Sequence, residues 1–332
     1  VKRKVICLTP VKNESWILER FLKCTSLWAD HIIIADQNSD DGSEEIAKSF
    51  QKVIYVKNSA SQFNEPERQK LLINEARKIS GEKVLVALDA DEALTGNFLN
   101  SPEWESMLTA PKGTVVRFQW INLCDDMENC WVPHHRHPFG FVDDGSEHSG
   151  LEIHSPRVPV PFGSPSLLMN QIKVLHYQCT DQNRMKSKHR WYQVWERANR
   201  GIDSSVALYR QYNHMNAVLQ SDIKKIDQKW FDDYELNQID MKSIICDEVY
   251  RWDFEVLNEM EKHGVDMFRN VPIWDVDWSV RAQNLKFKDF SNYRDPRSNF
   301  KKLLHHWLHY SQPIASRLTI RVIDECLKLF KL

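Results

Sequence analysis

Through the first hundred residues, short and almost wholly apolar runs alternate with stretches of helical periodicity. Val5–Leu8, His31–Ala35, Val53–Val56 and Lys83–Leu88 are such runs. Uninterrupted apolar stretches of this length predict strands covered on both faces, as in a parallel sheet. Between the first two, Ile17, Phe21, Cys24 and Trp28 recur at the spacing of one helix face. Asp41-Gly42-Ser43 opens a short helix through Phe50. Asn64 and Glu67, with Pro66 between them, open another helix whose Leu72, Ala76 and Ile79 face inward, and Gly81 ends it. Strand and helix repeated in this way imply right-handed crossovers and a doubly wound, mostly parallel α/β sheet.

Beyond residue 100 the pattern loosens. Thr114–Ile121 reads as a further buried strand, and Cys124–Gly150 as a long, charged, irregular segment of the kind that usually serves function. Val174–Tyr177 is a short strand ahead of a helix bearing Arg184, Lys186, Lys188 and Arg190. From Trp191 to Leu285 aromatic and acidic residues alternate with helical periodicity, and after Asp289 a helical arm follows that Pro313 interrupts. Its last helix has an apolar face of Ile320, Ile323, Leu327 and Phe330 beside Arg317, Arg321, Asp324, Lys328 and Lys331.

The net charge of -2 over 332 residues argues against a nucleic-acid partner, and no apolar run approaches a membrane span. The apolar segment after Lys4 is too short for a secretory signal, and seven scattered cysteines are a poor disulfide framework. A cytoplasmic chain with reduced thiols is the expectation. The last helix allows peripheral membrane contact or a homo-oligomer, with docking on its own domain or another subunit favoured. Cys124, Cys130, His134, His135 and His137 cluster in sequence but fit no regular structural-zinc spacing.

The chemistry concentrates at strand ends. The fourth strand ends in Asp89-Ala90-Asp91, whose carboxylates share a strand face. Paired oxygens of this kind suit Mg2+ or Mn2+, which take one or two carboxylates and complete their shell from substrate phosphates. The first strand is followed by Thr9-Pro10-Val11-Lys12-Asn13-Glu14 and the second by Asp36 to Ser43. Three polar strand ends on one edge of a doubly wound sheet form a ligand site.

Pro10-Val11-Lys12-Asn13-Glu14, Asp36 to Ser43, and Asp89-Ala90-Asp91 preceded by Gly81-Glu82 resemble the family-2 glycosyltransferases of the GT-A fold. The resemblance covers roughly the first hundred residues. It implies an inverting, metal-dependent enzyme that moves a sugar from a nucleotide-diphosphate donor to a glycan or lipid-linked acceptor. A nucleotidyltransferase, or a silent module that binds glycan or nucleotide, is the alternative. By resemblance Asp36 reads the nucleobase, Thr9, Pro10 and Glu14 contact base and ribose, Asp91 ligates the metal, and Asp89 holds the ribose or a metal-bound water. His176 would be the further metal ligand, which favours Mn2+ over Mg2+. Arg68 and Lys70 could approach the nucleotide, and Arg184 and Lys188, four apart on one helix face, suit a diphosphate clamp. A second Asp is usual where Gln37 stands, and the Glu-Asp pair that often carries the general base is missing. The base is therefore placed in the Asp143–Glu152 cluster, with Asp144 first, Glu147 next, and Asp143 and Glu152 behind. The implied organisation is a GT-A core over 1–190 (nucleotide half 1–100, acceptor and catalytic half 101–190), a helical region over 191–290 and an amphipathic arm over 291–332.

Overall fold

The computed structural model describes residues 3–60, 63–330 and 332, so Lys331 lies outside the described residues. The chain forms two compact units. The first comprises Val1–Thr180 and Lys224–Ile245, the second Asp181–Ile223 and Cys246–Leu332. The compact units therefore divide at 180 rather than 190, and a later segment returns to the first unit.

The first unit opens with β1 (Lys4–Val11), α1 (Ser15–Ser26), β2 (His31–Asp36), α2 (Ser43–Lys48), β3 (Val53–Lys57), α3 (Glu65–Arg77) and β4 (Lys83–Ala87). There follow β5 (Glu92–Leu94), α4 (Pro102–Thr109), β6 (Val115–Leu123), β7 (Asn129–Trp131), β8 (Arg136–Val142), β9 (Ser166–Leu168) and β10 (Val174–His176). The second unit has α5 (Gln182–Arg200) and α6 (Ser205–Tyr212). The returning segment supplies β11 (Lys224–Lys225) and α7 (Asp232–Leu236) to the first unit, and the second unit ends with α8 (Arg251–His263), α9 (Trp278–Asn284), α10 (Asn299–Ser311) and α11 (Leu318–Leu329).

The sheet runs β11-β7-β6-β8-β4-β1-β2-β3. β3, β2, β1 and β4 are mutually parallel, so the winding direction reverses between β1 and β4. Such a reversal leaves a crevice at the carboxyl ends of the two strands. β8 is antiparallel to both β4 and β6, and β10 is parallel to β6. The carboxyl ends of β1, β2, β4, β6 and β10 therefore share one edge of the sheet, while β8 begins at that edge and ends at the opposite one.

Alternate strand residues feed two apolar layers, as strand pleating requires. Val5, Cys7, Ile32, Ile34, Val84 and Val86 pack with Ile17, Leu18, Phe21 and Leu22 of α1. Ile6, Leu8, Ile33, Leu85 and Ala87 pack with Leu72, Ile73 and Ala76 of α3. Asn64 Oδ1 caps α3 by accepting from Glu67 N–H at 3.1 Å. Residues 224–245 rejoin this unit because β11 pairs with β7 and the buried Phe231, Tyr234 and Met241 complete the α1-side core.

In the second unit Val206, Tyr209, Leu304 and Leu308 form a small core against which Leu327 of α11 packs. Ile320 and Asp324 of α11 are buried, and Asp324 Oδ2 accepts from Arg210 Nε at 2.9 Å. Ile323 and Phe330, expected on the apolar face, are exposed. Among the described residues no helix is long and apolar enough to cross a membrane.

Candidate active site

The loops after β1 and β2 are laced to each other. Asn13, at a left-handed φ of 56°, donates from N–H to Ser39 Oγ at 2.8 Å and from Nδ2 to Asp40 Oδ1 at 2.8 Å. Ser15 N–H reaches Asp41 Oδ2 at 2.9 Å, and Glu14 N–H reaches Ser43 Oγ at 3.0 Å. Thr9 is fully buried, Pro10 lies in register with Ala35, and Glu14 Oε2 accepts from Trp16 Nε1 at 2.9 Å. The buried Asp36 carboxylate takes the hydroxyl of Tyr55 at 2.9 Å, Ser39 N–H at 3.2 Å and the Ser39 hydroxyl. Much of the polarity read as ligand chemistry thus shapes the loops, although a carboxylate with about four acceptor directions keeps one more.

Beside these loops a cavity of about 350 Å³ is lined by Gln37, Lys57, Asn58, Phe63, Arg68 and Leu71, among others. The Arg68 guanidinium lies 5.5 Å from the centre of the Phe63 ring. Lys70 instead pairs with Glu67 at 2.8 Å on the exposed side of α3.

At the end of β4 the structure brings Asp91 and His176 together, Oδ2 and Nε2 being 3.9 Å apart with both side chains about nine-tenths buried. Tyr177 N–H also donates to Asp91 O at 2.9 Å, tying the two strand ends. His176 Nδ1 sits 2.8 Å from Asn122 Oδ1, and the imidazole stacks on Trp120 at 4.8 Å. An amide oxygen facing Nδ1 selects the tautomer with its proton there, which turns the Nε2 lone pair toward Asp91. A carboxylate oxygen and an imidazole nitrogen, oriented in this way, are a donor pair that fits Mn2+. Among the described residues no group of three or more His, Cys, Asp or Glu could hold a metal.

Arg157 is the group sequence reasoning missed. Its Nη2 donates to Asp89 Oδ2 at 2.6 Å and its Nη1 to Glu92 Oε2, while its guanidinium lies 4.8 Å from the Phe139 ring centre. Glu92, fully buried, also accepts from Asp89 N–H at 2.9 Å and Trp120 Nε1 at 2.7 Å. Burial pushes the Glu92 carboxyl up to about 7 against the opposing pull of Arg157. Burial also disfavours the Arg157 charge, but Asp89 and Glu92 more than offset it and raise its pKa. His137, 4.0 Å from Trp120, is pushed down to about 3 by burial and then by His135 and Arg157. The one available signal for Arg157 was a cation between two prolines just after the acidic segment.

The strand directions correct the general-base assignment. Val84 pairs with Val142, and Asp143 N–H donates to Lys83 O, so Asp143 and Asp144 lie at the amino end of β4. Four strand residues at about 3.3 Å each separate that end from Ala87, so Asp144 is more than about 13 Å from the acidic edge. Asp144 Oδ1 accepts from Ser146 N–H at 2.9 Å in a turn, and Asp143 pairs with Arg77 at 2.8 Å. Glu147 follows Ser146, whose carbonyl is held by Arg77 at the far end of α3. Glu152 does reach the ligand edge: its carbonyl accepts Glu65 N–H at 3.1 Å at the start of α3, and Ser155 N–H donates to Glu65 Oε2 at 2.7 Å. Arg184 and Lys188 belong to the second unit, where Arg184 Nη2 meets Asp247 at 2.6 Å and Lys188 lies 5.8 Å from the Trp252 ring centre.

Residues 7–101 match the family model described as Glycosyl transferase family 2. No curated protein sequence matches the chain. Among solved structures, glucosyl-3-phosphoglycerate synthase from Mycobacterium tuberculosis is 20% identical with a TM-score of 0.27, the match covering 36% of this chain and 44% of that one. For a 4-diphosphocytidyl-2C-methyl-D-erythritol synthase the figures are 18%, 0.28, 35% and 60%. For S. aureus TarS 1-349 they are 10%, 0.35, 88% and 89%. The chain thus spans less than two thirds of the first two, and scores this low set up no equivalence between residues. The family-model match, in contrast, falls on the segment that holds Thr9, Asp36, Asp89 and Asp91, so residues 7–101 are similar to glycosyl transferase family 2.

Proposed function

We propose that the chain is a metal-dependent, inverting glycosyltransferase that moves a sugar from a nucleotide-diphosphate donor to an acceptor hydroxyl in glycan or polysaccharide biosynthesis. The observation that carries this reading is the 3.9 Å approach of Asp91 Oδ2 to His176 Nε2 at the carboxyl edge of the sheet. Asp91 and His176 would hold Mn2+, and with few protein donors the cation fits a site shared with phosphates. When bound, it would offset the charge growing on the departing diphosphate.

The chain's own groups divide the remaining work. The cavity at Gln37 and Arg68 would take the nucleobase, with Asp36 next to Gln37 in sequence holding the loop through Ser39. Asp89, held by Arg157, would take the ribose. The proton of the attacking hydroxyl would pass to Glu152, whose backbone carbonyl meets Glu65 N–H at the start of α3. Base duty of this kind contributes roughly 10²–10⁴-fold to rate.

Binding of a panel of nucleotide sugars, titrated with and without Mn2+, tests the reading. Mn2+ should tighten binding of one donor, and Asp91→Ala and His176→Ala should each abolish that enhancement. Glu152→Gln should lower turnover at least about 100-fold while donor binding persists. Donor binding that is indifferent to Mn2+ and to both substitutions would overturn the metal site; turnover unchanged in Glu152→Gln would overturn the base.

A further inference from the structure

The second unit contains a cavity of about 400 Å³. One face of α5 supplies Lys186, Arg190 and Gln193, α6 supplies Tyr209 and Tyr212, and Trp274, Arg297, Lys302 and His306 close it from the later helices and loops. Its size is that of a small-molecule site.

The walls are fixed by contacts among themselves. Arg190 grips Asp275 with two bonds of 2.8 and 2.7 Å. Arg297 donates to Asp295 Oδ2 at 2.9 Å, to Trp274 O at 3.1 Å and to His305 Nδ1 at 3.0 Å. His305 Nε2 lies 3.2 Å from Ser205 Oγ, which satisfies a neutral imidazole at both nitrogens. Among the described residues no three of the metal-binding side chain types could hold a metal, although His189, His305, His306 and His309 all line this space.

Three features define what would fit. The lining holds Lys186, Arg190, Arg297 and Lys302 against Asp275, with Asp295 beside Arg297 and Lys302, so cations exceed acids. Tyr212 and Tyr209 spend their hydroxyls on Glu196 and His309, both at 3.0 Å, and so contribute mainly ring carbon to the lining. Gln193 is 2% exposed and donates from its amide to His189 O at 3.1 Å, yet its Oε1 meets no donor among the described residues. A buried acceptor left unpaired is destabilising, and a ligand hydroxyl would relieve it.

We propose that this cavity is a binding site for a phosphorylated sugar, separate from the donor site. Lys186, Lys302 and His306 receive the phosphate, the aromatic rings pack against the C–H face of the sugar, and a sugar hydroxyl donates to Gln193 Oε1.

Calorimetric titration of the full chain with glucose 6-phosphate, glucose and inorganic phosphate tests this. Glucose 6-phosphate should bind at least tenfold tighter than either part. The double variant Lys186→Ala/His306→Ala, at exposed positions that leave the fold intact, should weaken it at least tenfold. Gln193→Leu should weaken it while leaving unfolding of the second unit unchanged or raised, an outcome that a purely structural glutamine would not produce. Asp91→Ala should leave glucose 6-phosphate binding unaltered, which separates this site from the donor site. Glucose 6-phosphate binding no tighter than phosphate, retained within twofold in the double variant, or lost in Asp91→Ala would overturn the proposal.

Discussion

Replacing Arg157 with Met isolates the electrostatics of the acidic edge. Met keeps much of the aliphatic stem but removes the guanidinium that bridges Asp89 and Glu92. The Glu92 side chain is 0% exposed and that of Arg157 17%, so the variant leaves a buried carboxylate without its counter-charge. Breaking a buried pair in this way costs about 3–5 kcal/mol. Glu92 keeps two donors, Asp89 N–H and Trp120 Nε1, and can take up a proton, which reduces the expected loss to about 2–3 kcal/mol at neutral pH. The pH dependence follows from the sign of the shift. The Glu92 carboxyl is raised from 4.5 to about 7, so its contribution to stability is fully present below pH 4.5 and is lost as pH rises through 7. Arg157 is what limits that rise. Without it the carboxyl moves higher, so parent and variant lose stability in parallel up to about pH 7, and the deficit of the variant relative to the parent should widen only as pH rises above about 7. Urea unfolding of the full chain at several pH values, following the first-unit transition, measures this directly. The widening should disappear in Arg157→Met/Glu92→Gln. A deficit below about 0.5 kcal/mol, or one that stays flat with pH, would refute the reasoning.

Two further outcomes rest on packing and on titration. A Cβ added at Gly140 would sit 2.9 Å from Val116 Cβ, where β8 lies against β6, so Gly140→Ala should lower first-unit stability by about 1–3 kcal/mol in the same unfolding assay. His305 is held down to about 3 by burial and then by Arg297 and Lys301, so the stability it contributes is present above pH 6.5 and lost as pH falls toward 3. Below pH 6.5 this should appear as a slope of up to about 1.4 kcal/mol per pH unit in unfolding of the second unit, and His305→Gln should remove it. Parallel pH curves for parent and variant would contradict that assignment.

How much of this was legible in the chain depends on the range over which each feature is encoded. The strands through Leu88, the inward face of α1 and the capped start of α3 follow from local periodicity, because burial on one or both faces leaves its mark every two or every three to four residues. The acidic strand end was legible for the same reason, since a run of apolar residues stopping at Asp89 places those carboxylates at an edge. Asp144 was not placed correctly from sequence. Its position depends on β8 running antiparallel to β4, and a strand has the same alternation in either direction. Arg157 lies in an irregular, proline-flanked segment with no period to read, and only the path of that segment past α3 delivers it to Asp89 and Glu92.

The sequence by itself determined the α/β class, the likeness of the first hundred residues to glycosyl transferase family 2 and the acidic edge, all features carried by contiguous residues. Tertiary structure alone decided which carboxylates share that edge, that Asp36 and Asp41 serve their own loops, that residues 224–245 return to the first unit, and that a cationic, aromatic cavity forms in the second. These depend on strand direction and on contacts between residues tens to hundreds of positions apart, and no local pattern of polar and apolar residues records them.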